Sequence, residues 1–384
     1  MQYVLCDPEE RDILYPFAQL RSFAEIRIGL WTTGERYEIS LNDIGAHEDK
    51  LTTDESCIFI NSAVIPNEDL NAQIAGLNMN EAIAYQNELL AVCTSAVEFK
   101  GFSSFNYTSL EVKQSNHPVC ILRSPFDIVR FNQIMLAEDI NGLELPDATS
   151  QLTHENKITG SGKIIIEEGV KISGAFLNTE SGPIYLGKNV QVMEGVCLRG
   201  PLAVLDNSVV KMGATLYGAT TIGKQCVVGG EIKNSVFFDY SNKAHHGYIG
   251  DSVIGSWCNM GAGTSCSNVK NNAGEIFLWN PLLRKPVHAG AKCGVMMGDH
   301  TRTAINTSLN SGSVIGICSN IVKHGFPPKY IADFTWDVDT GEIYREEKLL
   351  EDVHNWMKMK GENLDEKNKN LLLQLYKERK THTP

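Results

Sequence analysis

The chain has 384 residues, of which 42% are hydrophobic and 21% are charged, so it is long enough for two or three ordinary globular domains. The net charge of −12, with no dense run of lysine and arginine, argues against nucleic acid or an anionic membrane as the main partner. The first residues become acidic before any apolar stretch of signal-peptide length, and no run reaches the ~18 apolar residues of a membrane span. These features predict a cytoplasmic protein.

Residues 1–150 predict an α/β domain. The apolar runs 3–6, 25–31 and 57–61 have strand character, whereas 70–77, 79–92 and 125–140 fit helices. Strands and helices in alternation indicate a mostly parallel sheet. Residues 141–162 are polar and rich in Gly, Asp, Ser and Thr, which is typical of a linker.

An aliphatic residue at every sixth position predicts the next domain. Neither an α-helix nor a flat sheet has this period, which is expected when short strands coil around a triangular prism. We therefore interpret residues 158–330 as a parallel β-helix built from hexapeptide repeats. The uninterrupted series is Leu186, Val192, Leu198, Val204, Val210, Leu216, Ile222 and Val228.

The period of six reappears on both sides of this series after a break. Upstream it runs from Ile166 to Ile172, before extra residues near Asn178 shift the frame. Downstream it includes Tyr248, which would fill the core if it followed the phase. The other downstream positions are Ile254, Met260, Cys266, Met297, Thr303, Leu309, Ile315 and Ile321.

The segment 345–384 predicts two amphipathic helices divided by Gly361. They would cap the open end of the solenoid or take part in substrate binding. The ten cysteines occur singly, as is typical of reduced core residues. His245 and His246 are adjacent, but no third residue at metal-ligand spacing lies near them, so we expect no metal site there.

Four short elements interrupt the repeats at fixed spacing. The elements are Glu231-x-Lys233, His245-x-x-Tyr248-x-Gly250-Asp251, Asn259-x-Gly-Ala262-Gly-Thr264 and Asn268. Together they resemble the acetyltransferase domain of the bifunctional glucosamine-1-phosphate acetyltransferase/uridyltransferase family, called GlmU. The resemblance implies that the solenoid is a left-handed β-helix, that acetyl-coenzyme A is used, and that the chain forms a homotrimer with active sites between subunits.

The resemblance also implies roles for single residues. His245 matches the general base that takes a proton from the sugar amine, a task that suits an imidazole titrating near neutral pH. Lys233, Tyr248 and Asn259 match residues that hold the sugar phosphate, and Asn268 matches one near the amino sugar.

Ala262 lies where the family places acetyl-coenzyme A along the coils, and Gly316 falls close to the next contact. A second phosphate-binding lysine of the family aligns with Gly274, and Lys270 is the nearest substitute. The loop after Lys270 is longer than in the family, and its Arg284 and Lys285 could supply the charge instead.

The first 150 residues contain the segment Tyr15-Pro-Phe-Ala-Gln-Leu-Arg21-Ser-Phe-Ala-Glu25-Ile-Arg27-Ile-Gly29. It resembles a segment of a Bacteroidetes-type group of sugar nucleotidyltransferases that also pair this domain with a hexapeptide solenoid. The glycine-rich phosphate loop of the wider family is absent, because the first strand leads to the acidic segment 7–11. Arg11, Arg21 and Arg27 could replace the backbone cradle with guanidinium contacts, and Asp7 could hold Mg²⁺. A domain retained only for packing or regulation is the alternative.

The leading hypothesis is a sugar-1-phosphate N-acetyltransferase of the glucosamine-1-phosphate type. The second is a nucleotidyltransferase that joins a nucleoside triphosphate to a sugar-1-phosphate, of the UDP-N-acetylglucosamine pyrophosphorylase or glucose-1-phosphate thymidylyltransferase type, with the solenoid serving assembly. A sensor or scaffold that binds sugar phosphate without turnover is the third.

Overall fold

The computed structural model describes residues 2–41, 44–45, 56–102 and 110–381. The chain divides into two compact units, each of which gathers separate stretches of sequence. The N-terminal unit comprises Met1–Leu14, Arg21–Arg27 and Trp31–Arg123. The solenoid unit comprises Tyr15–Leu20, Ile28–Leu30 and Ser124–Pro384.

A six-stranded mixed sheet forms the centre of the N-terminal unit, which confirms the α/β prediction. Gln2–Cys6 runs parallel to Ile44–Gly45 on one side and to Ser56–Asn61 on the other, and the remaining strands follow in the order Glu88–Ser95, Glu81–Tyr85 and Glu111–Gln114. Helices α1 (Thr33–Leu41) and α2 (Glu68–Ala75) belong to this unit. In the same unit, the short strands Val64–Ile65 and Cys120–Ile121 form an antiparallel pair. Two further short strands of the chain are Arg27–Ile28 and Trp31–Thr32.

The predicted helix over residues 79–92 is wrong. This segment forms the antiparallel strands Glu81–Tyr85 and Glu88–Ser95, joined by Gln86 and Asn87 with φ of 50° and 66°. Two consecutive left-handed residues are typical of the tight turn of a β-hairpin. The run from Leu89 to Cys93 is buried throughout, and such a run does not distinguish a buried strand from a helix.

Three parallel sheets form the solenoid, which confirms the predicted β-helix. Leu186 lies in register with Val204 and then with Ile222, so that each full coil takes one hexapeptide on each of the three faces. Every sixth residue therefore reaches the next face, and the eight residues of the uninterrupted series are all at most 3% exposed. The inward columns of the three faces form one continuous apolar core.

We name the faces by their strands. The first face contains Lys157–Thr159, Phe176–Asn178, Cys197–Arg199, Thr215–Leu216, Glu231–Lys233 and Tyr248–Gly250, and the pair Ser265–Cys266 and Ser308–Leu309 follows them along the chain. The second face contains Ile164–Ile166, Ile184–Leu186, Leu202–Val204, Thr220–Ile222, Val236–Phe237, Val253–Ile254, Met296–Met297, Val314–Ile315 and Tyr330–Ile331. The third face contains Lys171–Ile172, Gln191–Val192, Val209–Val210, Val227–Val228, Asn242–Lys243, Asn259–Met260, Arg302–Thr303 and Asn320–Ile321.

The coils become shorter toward the middle of the solenoid. Leu216 lies in register with Ile232, and Val228 lies in register with Lys243, so both intervals fall short of three full hexapeptides. As a result Ile249 is the buried residue of its strand, whereas Tyr248 is partly exposed on the outer side. The expectation that Tyr248 fills the core is therefore wrong, because it assumed an unbroken period.

Three additions surround the coils of the solenoid unit. Helix α3 (Asp127–Gly142) confirms the predicted helix and binds the second face, where the Asn132 side chain accepts a hydrogen bond from Thr221 Oγ1 (2.9 Å) and donates one to Ala219 O (3.0 Å). Ile276–Asn280 and Lys285–Gly290 form an antiparallel hairpin. No helix among the described residues is long and apolar enough to cross a membrane.

Helices α4 (Glu346–Lys358) and α5 (Glu366–Thr381) confirm the predicted C-terminal pair, with Gly361 between them at a φ of 81°. Their apolar side chains pack on Ile317 and Phe334 of the last coils. The connection between them also reaches an earlier coil, because Lys360 Nζ donates to Asn242 Oδ1 (2.9 Å) on the third face. The pair is therefore more than a cap on the open end.

Asp333 provides a test of this packing. Its carboxylate accepts hydrogen bonds from Tyr15 Oη (2.9 Å) and Ile317 N (2.8 Å), and burial raises its pKa from 3.8 to about 6, although Arg379 acts in the opposite direction. The folded state therefore binds this proton more tightly than the unfolded state, so the contribution of Asp333 to stability falls as the pH rises from about 4 to 6.

We expect Asp333→Asn, which keeps an acceptor oxygen but removes the charge, to raise the free energy of unfolding at pH 7.5 by about 1 kcal/mol or more. The gain is smaller at pH 4.5, where the buried carboxyl of the wild type is mostly protonated. Urea unfolding at both pH values measures it, with Glu168→Gln on an exposed turn as the control. An equal effect at the two pH values would contradict the assignment.

Candidate functional site

His245 lies at a corner of the prism. It belongs to the turn between Asn242–Lys243 on the third face and Tyr248–Gly250 on the first face, and its side chain is exposed. The corresponding turn of the next coil contains Ala262 and stacks on the His245 turn, because Gly263 N donates a hydrogen bond to His246 O (3.1 Å). The structure thus brings the predicted base next to the turn predicted to contact acetyl-coenzyme A.

A polar network lies at the other end of the first face, at the turns that lead to the second face. The Asp251 carboxylate is almost fully buried and accepts hydrogen bonds from Asn234 Nδ2 (2.6 Å) and Asn268 Nδ2. The Tyr248 hydroxyl lies over Gly250, near Asn268. Burial and the nearby Asp251 charge raise the pKa of Tyr248 to about 12, so its hydroxyl stays protonated at neutral pH.

Lys233 lies on the same face as this network. Glu231 is in register with Tyr248, and Lys233 is in register with Gly250, so the strand that carries both charges adjoins the tyrosine. The Glu231 and Lys233 side chains are exposed. Three predicted substrate residues, Lys233, Tyr248 and Asn268, therefore share one surface of a single chain, and a phosphate dianion on this surface would find an accessible ammonium and a hydroxyl donor.

Asn259 lies elsewhere. It is on the third face, in register with Asn242 on one side and Arg302 on the other. Both neighbours contact the C-terminal segment, through Lys360 and through Asp352 O (3.3 Å) respectively. A single chain therefore does not place Asn259 on the surface that carries Lys233 and Tyr248.

Two further predicted residues are also outside this surface. Gly316 is buried under the next coil, where an added Cβ would overlap Asp333. Lys270 follows Asn268 closely, but its Nζ bonds the carbonyl oxygen of Glu275 within the same loop. Arg284 lies at the far end of the hairpin, in the turn between its strands.

Sequence reasoning missed Asn234 and Lys243. Asn234 shares the Asp251 carboxylate with Asn268, a contact between separate coils that no local pattern announces. Lys243 is only 1% exposed and occupies the inward column of the third face above Val228. The strict period of six hides this lysine, because the shortened coil moves the inward position away from the phase.

The N-terminal unit has a second candidate site where its parallel strands end. Asp7 follows Gln2–Cys6 and Ser62 follows Ser56–Asn61, and Ser62 Oγ donates to Asp7 Oδ1 (2.7 Å). Phe23 N donates to the same oxygen (2.8 Å), while burial raises the pKa of Asp7 despite the nearby Arg11. The carboxyl ends of parallel strands are where α/β sheets commonly bind ligands.

The three predicted arginines differ. Arg11 is half-exposed, lies 3.4 Å from Asp7 Oδ2 and donates to the backbone oxygen of Arg21 (2.8 Å), so Asp7, Arg11 and Arg21 are close together. Arg27 is only 5% exposed and pairs with Glu35 (3.4 Å). Its guanidinium therefore has a structural partner.

Asp7 is also the residue predicted to hold Mg²⁺. Its Oδ2 is buried without a hydrogen-bond partner in the described part of the chain, apart from the ion pair with Arg11. One carboxylate oxygen together with substrate phosphates is a common way to bind Mg²⁺, so the residue fits the ion. Over the described ranges, no group of three or more His, Cys, Asp or Glu side chains is placed to hold a metal by itself.

The chain is similar to two groups of known proteins, sugar nucleotidyl transferases and bifunctional GlmU proteins. Residues 3–146 match the family model "Sugar nucleotidyl transferase". The bifunctional protein GlmU of Methanococcus vannielii is 28% identical over 226 residues, which cover 59% of this chain and 47% of the relative. GlmU of Wigglesworthia glossinidia brevipalpis is 23% identical over 299 residues, 74% of this chain and 61% of the relative.

The bifunctional sugar-1-phosphate nucleotidylyltransferase/acetyltransferase of Sulfurisphaera tokodaii is 31% identical over 181 residues, 47% of this chain and 41% of the relative. The chain thus spans about half the length of the curated relatives it matches. Residues 3–146 are thus similar to sugar nucleotidyl transferases, and the bifunctional GlmU proteins are distant homologues of the chain.

Proposed function

We propose that the solenoid transfers an acetyl group from acetyl-coenzyme A to the amino group of a sugar-1-phosphate of the glucosamine-1-phosphate type. The observation that carries the proposal is that Lys233, Tyr248 and Asn268 lie on or directly after first-face strands, and that the corner before one of these strands bears His245. A cation for the phosphate, polar groups for the sugar and an imidazole for the amine are the parts that this reaction needs.

The chemistry follows from these positions. The amine nitrogen attacks the thioester carbonyl, so that a C–N bond forms and the C–S bond breaks. His245 takes the proton that the amine must lose, and the coenzyme A thiolate leaves and is protonated to the thiol. The exposed imidazole is open to solution at the corner, where both substrates can approach it.

Lys233 and Tyr248 bind the phosphate in this proposal. The hydroxyl of Tyr248 stays protonated at neutral pH and is a donor toward an anion. Because Asn259 lies on the third face rather than the first, its predicted phosphate contact fits a site shared between copies of the chain, as in the trimer that the resemblance implies.

A second activity is favoured by the match of residues 3–146. We propose that the N-terminal unit joins a sugar-1-phosphate to a nucleoside triphosphate and releases pyrophosphate. Arg11 and Asp7 lie together where the parallel strands end, which supports a phosphate site with Mg²⁺ on the Asp7 carboxylate. The bound ion would offset phosphate charge, and Arg11 would orient the same phosphates.

The base can be tested against its own neighbour. We expect His245→Ala to lower kcat for release of free coenzyme A thiol by roughly 10²–10⁴-fold, because the amine would lose its proton acceptor. His246→Ala, an exposed histidine in the same turn, should stay within about twofold of wild type. Thiol release with glucosamine-1-phosphate and related amino sugars measures both. Full activity of His245→Ala would reject the base.

Lys233 is tested by its effect on binding. Lys233→Ala should raise KM for the amino-sugar phosphate about tenfold and leave KM for acetyl-coenzyme A nearly unchanged, since a charge-assisted hydrogen bond to phosphate contributes about 1.5–3 kcal/mol. Lys188→Ala, on an exposed turn between the second and third faces, is the matched control. Equal changes in the two variants would remove Lys233 from the phosphate site.

The N-terminal activity has its own assay. Arg11→Ala should reduce pyrophosphate release from UTP or dTTP with a sugar-1-phosphate at least tenfold, because it removes the exposed guanidinium beside Asp7. Arg123→Ala removes an equally exposed arginine, paired with Glu88, and should have little effect. Pyrophosphate release that is the same in both variants would show that Arg11 does not bind the nucleotide.

A further inference from the structure

A lysine interrupts the apolar column of the third face. Val192, Val210 and Val228 lie in register as its inward residues, and the next inward position in the register is Lys243. Lys243 is 1% exposed, like the aliphatic residues below it. An aliphatic residue would fill this position without the cost of burying a charge, so packing alone does not explain the lysine.

The ammonium group of Lys243 connects two corner turns. Its Nζ donates to Gly229 O (3.1 Å) in the turn below and to His245 O (2.8 Å) in its own turn. Gly230 has a φ of 72°, and an added Cβ there would lie 2.7 Å from Gly247 O and 2.9 Å from both His245 O and Lys243 Nζ. The short Gly229–Gly230 turn therefore lies directly against Lys243 and the turn that presents His245.

The turn that bears His245 is held by hydrogen bonds to three successive backbone carbonyl groups. His245 O accepts from Lys243, His246 O accepts from Gly263 N of the coil above (3.1 Å), and Gly247 O accepts from Glu231 N of the coil below (3.0 Å). Two of these donors are backbone amides. Lys243 is the side-chain donor, and it bonds the carbonyl of the residue whose imidazole is exposed at the corner.

We propose that Lys243 is a positioning residue, whose buried ammonium fixes the backbone of the turn that presents His245. The expected effect of Lys243 on the reaction rate rests on the proposed acetyl transfer, whereas its expected effect on the backbone of the turn does not. Burial lowers the pKa of Lys243 from 10.5 to about 8, as expected for an ammonium withdrawn from water. The amine donates hydrogen bonds in either protonation state, so the contact survives this shift.

The test uses a variant that keeps the shape of the side chain. Lys243→Met retains a long unbranched side chain in the aliphatic column but cannot donate to either carbonyl. Lys360→Met is the matched control, because Lys360 Nζ also donates to a backbone oxygen of a coil, that of Gln225, through a partly buried side chain. The full-length protein is used throughout, and thermal unfolding checks each variant.

Hydrogen–deuterium exchange gives a readout that needs no enzymatic activity. We expect the peptide 244–248 to exchange at least about fivefold faster in Lys243→Met than in wild type, while the peptide 253–260 is unchanged. In the acetyl-transfer assay we expect kcat to fall at least about tenfold, with KM for both substrates within twofold. Lys360→Met should change neither quantity.

The outcomes are distinguishable. Unchanged exchange in 244–248, or a loss of kcat that appears only together with lower thermal stability of the whole protein, would overturn the proposal. If wild type transfers no acetyl group, the proposed function fails, and the exchange comparison still decides whether Lys243 fixes the turn. If Lys243→Met does not fold, Lys243→Gln, which keeps an N–H donor, is compared instead. The proposal then requires that this variant match the wild type both in the exchange of the peptide 244–248 and in kcat.

Discussion

The solenoid depends on one constraint, which is that each coil must place its inward side chains directly on those of the coil below. Leu186, Val204 and Ile222 satisfy it on one face at intervals of three hexapeptides, and the other two faces repeat the arrangement. Because the inward column contributes the core, the outward positions on the same strands are free to vary. Chemistry can therefore be placed on a face without loss of the fold.

The candidate acetyl-transfer site lies where this constraint is met with fewer residues. The coil from Val228 to Lys243 is shorter than the regular coil, and the shortening occurs around Gly229 and Gly230. A Cβ on Gly230 would lie 2.7 Å from Gly247 O and 2.9 Å from Lys243 Nζ, so the close approach of the two turns requires a glycine. The shortened coil thus departs from the regular packing and places polar groups next to an exposed corner.

This contrast explains what the sequence could and could not predict. The period of six predicted the three faces, because each aliphatic residue reports its own inward position. The same period misplaced Tyr248, since a shortened coil moved Ile249 into the core instead. The helix expected over 79–92 failed because a run buried on both sides carries no period. Within the site, the spacing of the four elements pointed to Lys233, Tyr248 and Asn268 on one surface, but also to Asn259, which lies on the third face. The Asn234–Asp251 bond joins separate coils, and such pairing is set by register rather than by local pattern.

Charge and burial also separate the arginines of the N-terminal unit. A domain without a glycine-rich phosphate loop needs side-chain donors, and composition alone gives Arg11, Arg21 and Arg27 the same standing. Arg27 is nearly fully buried against Glu35, so drawing it toward a nucleotide would leave a carboxylate without its cation. Arg11 has a half-exposed side chain beside Asp7 and can turn toward a phosphate at little cost. Of Arg11 and Arg27, Arg11 is therefore the one that the fold leaves accessible to the proposed phosphate.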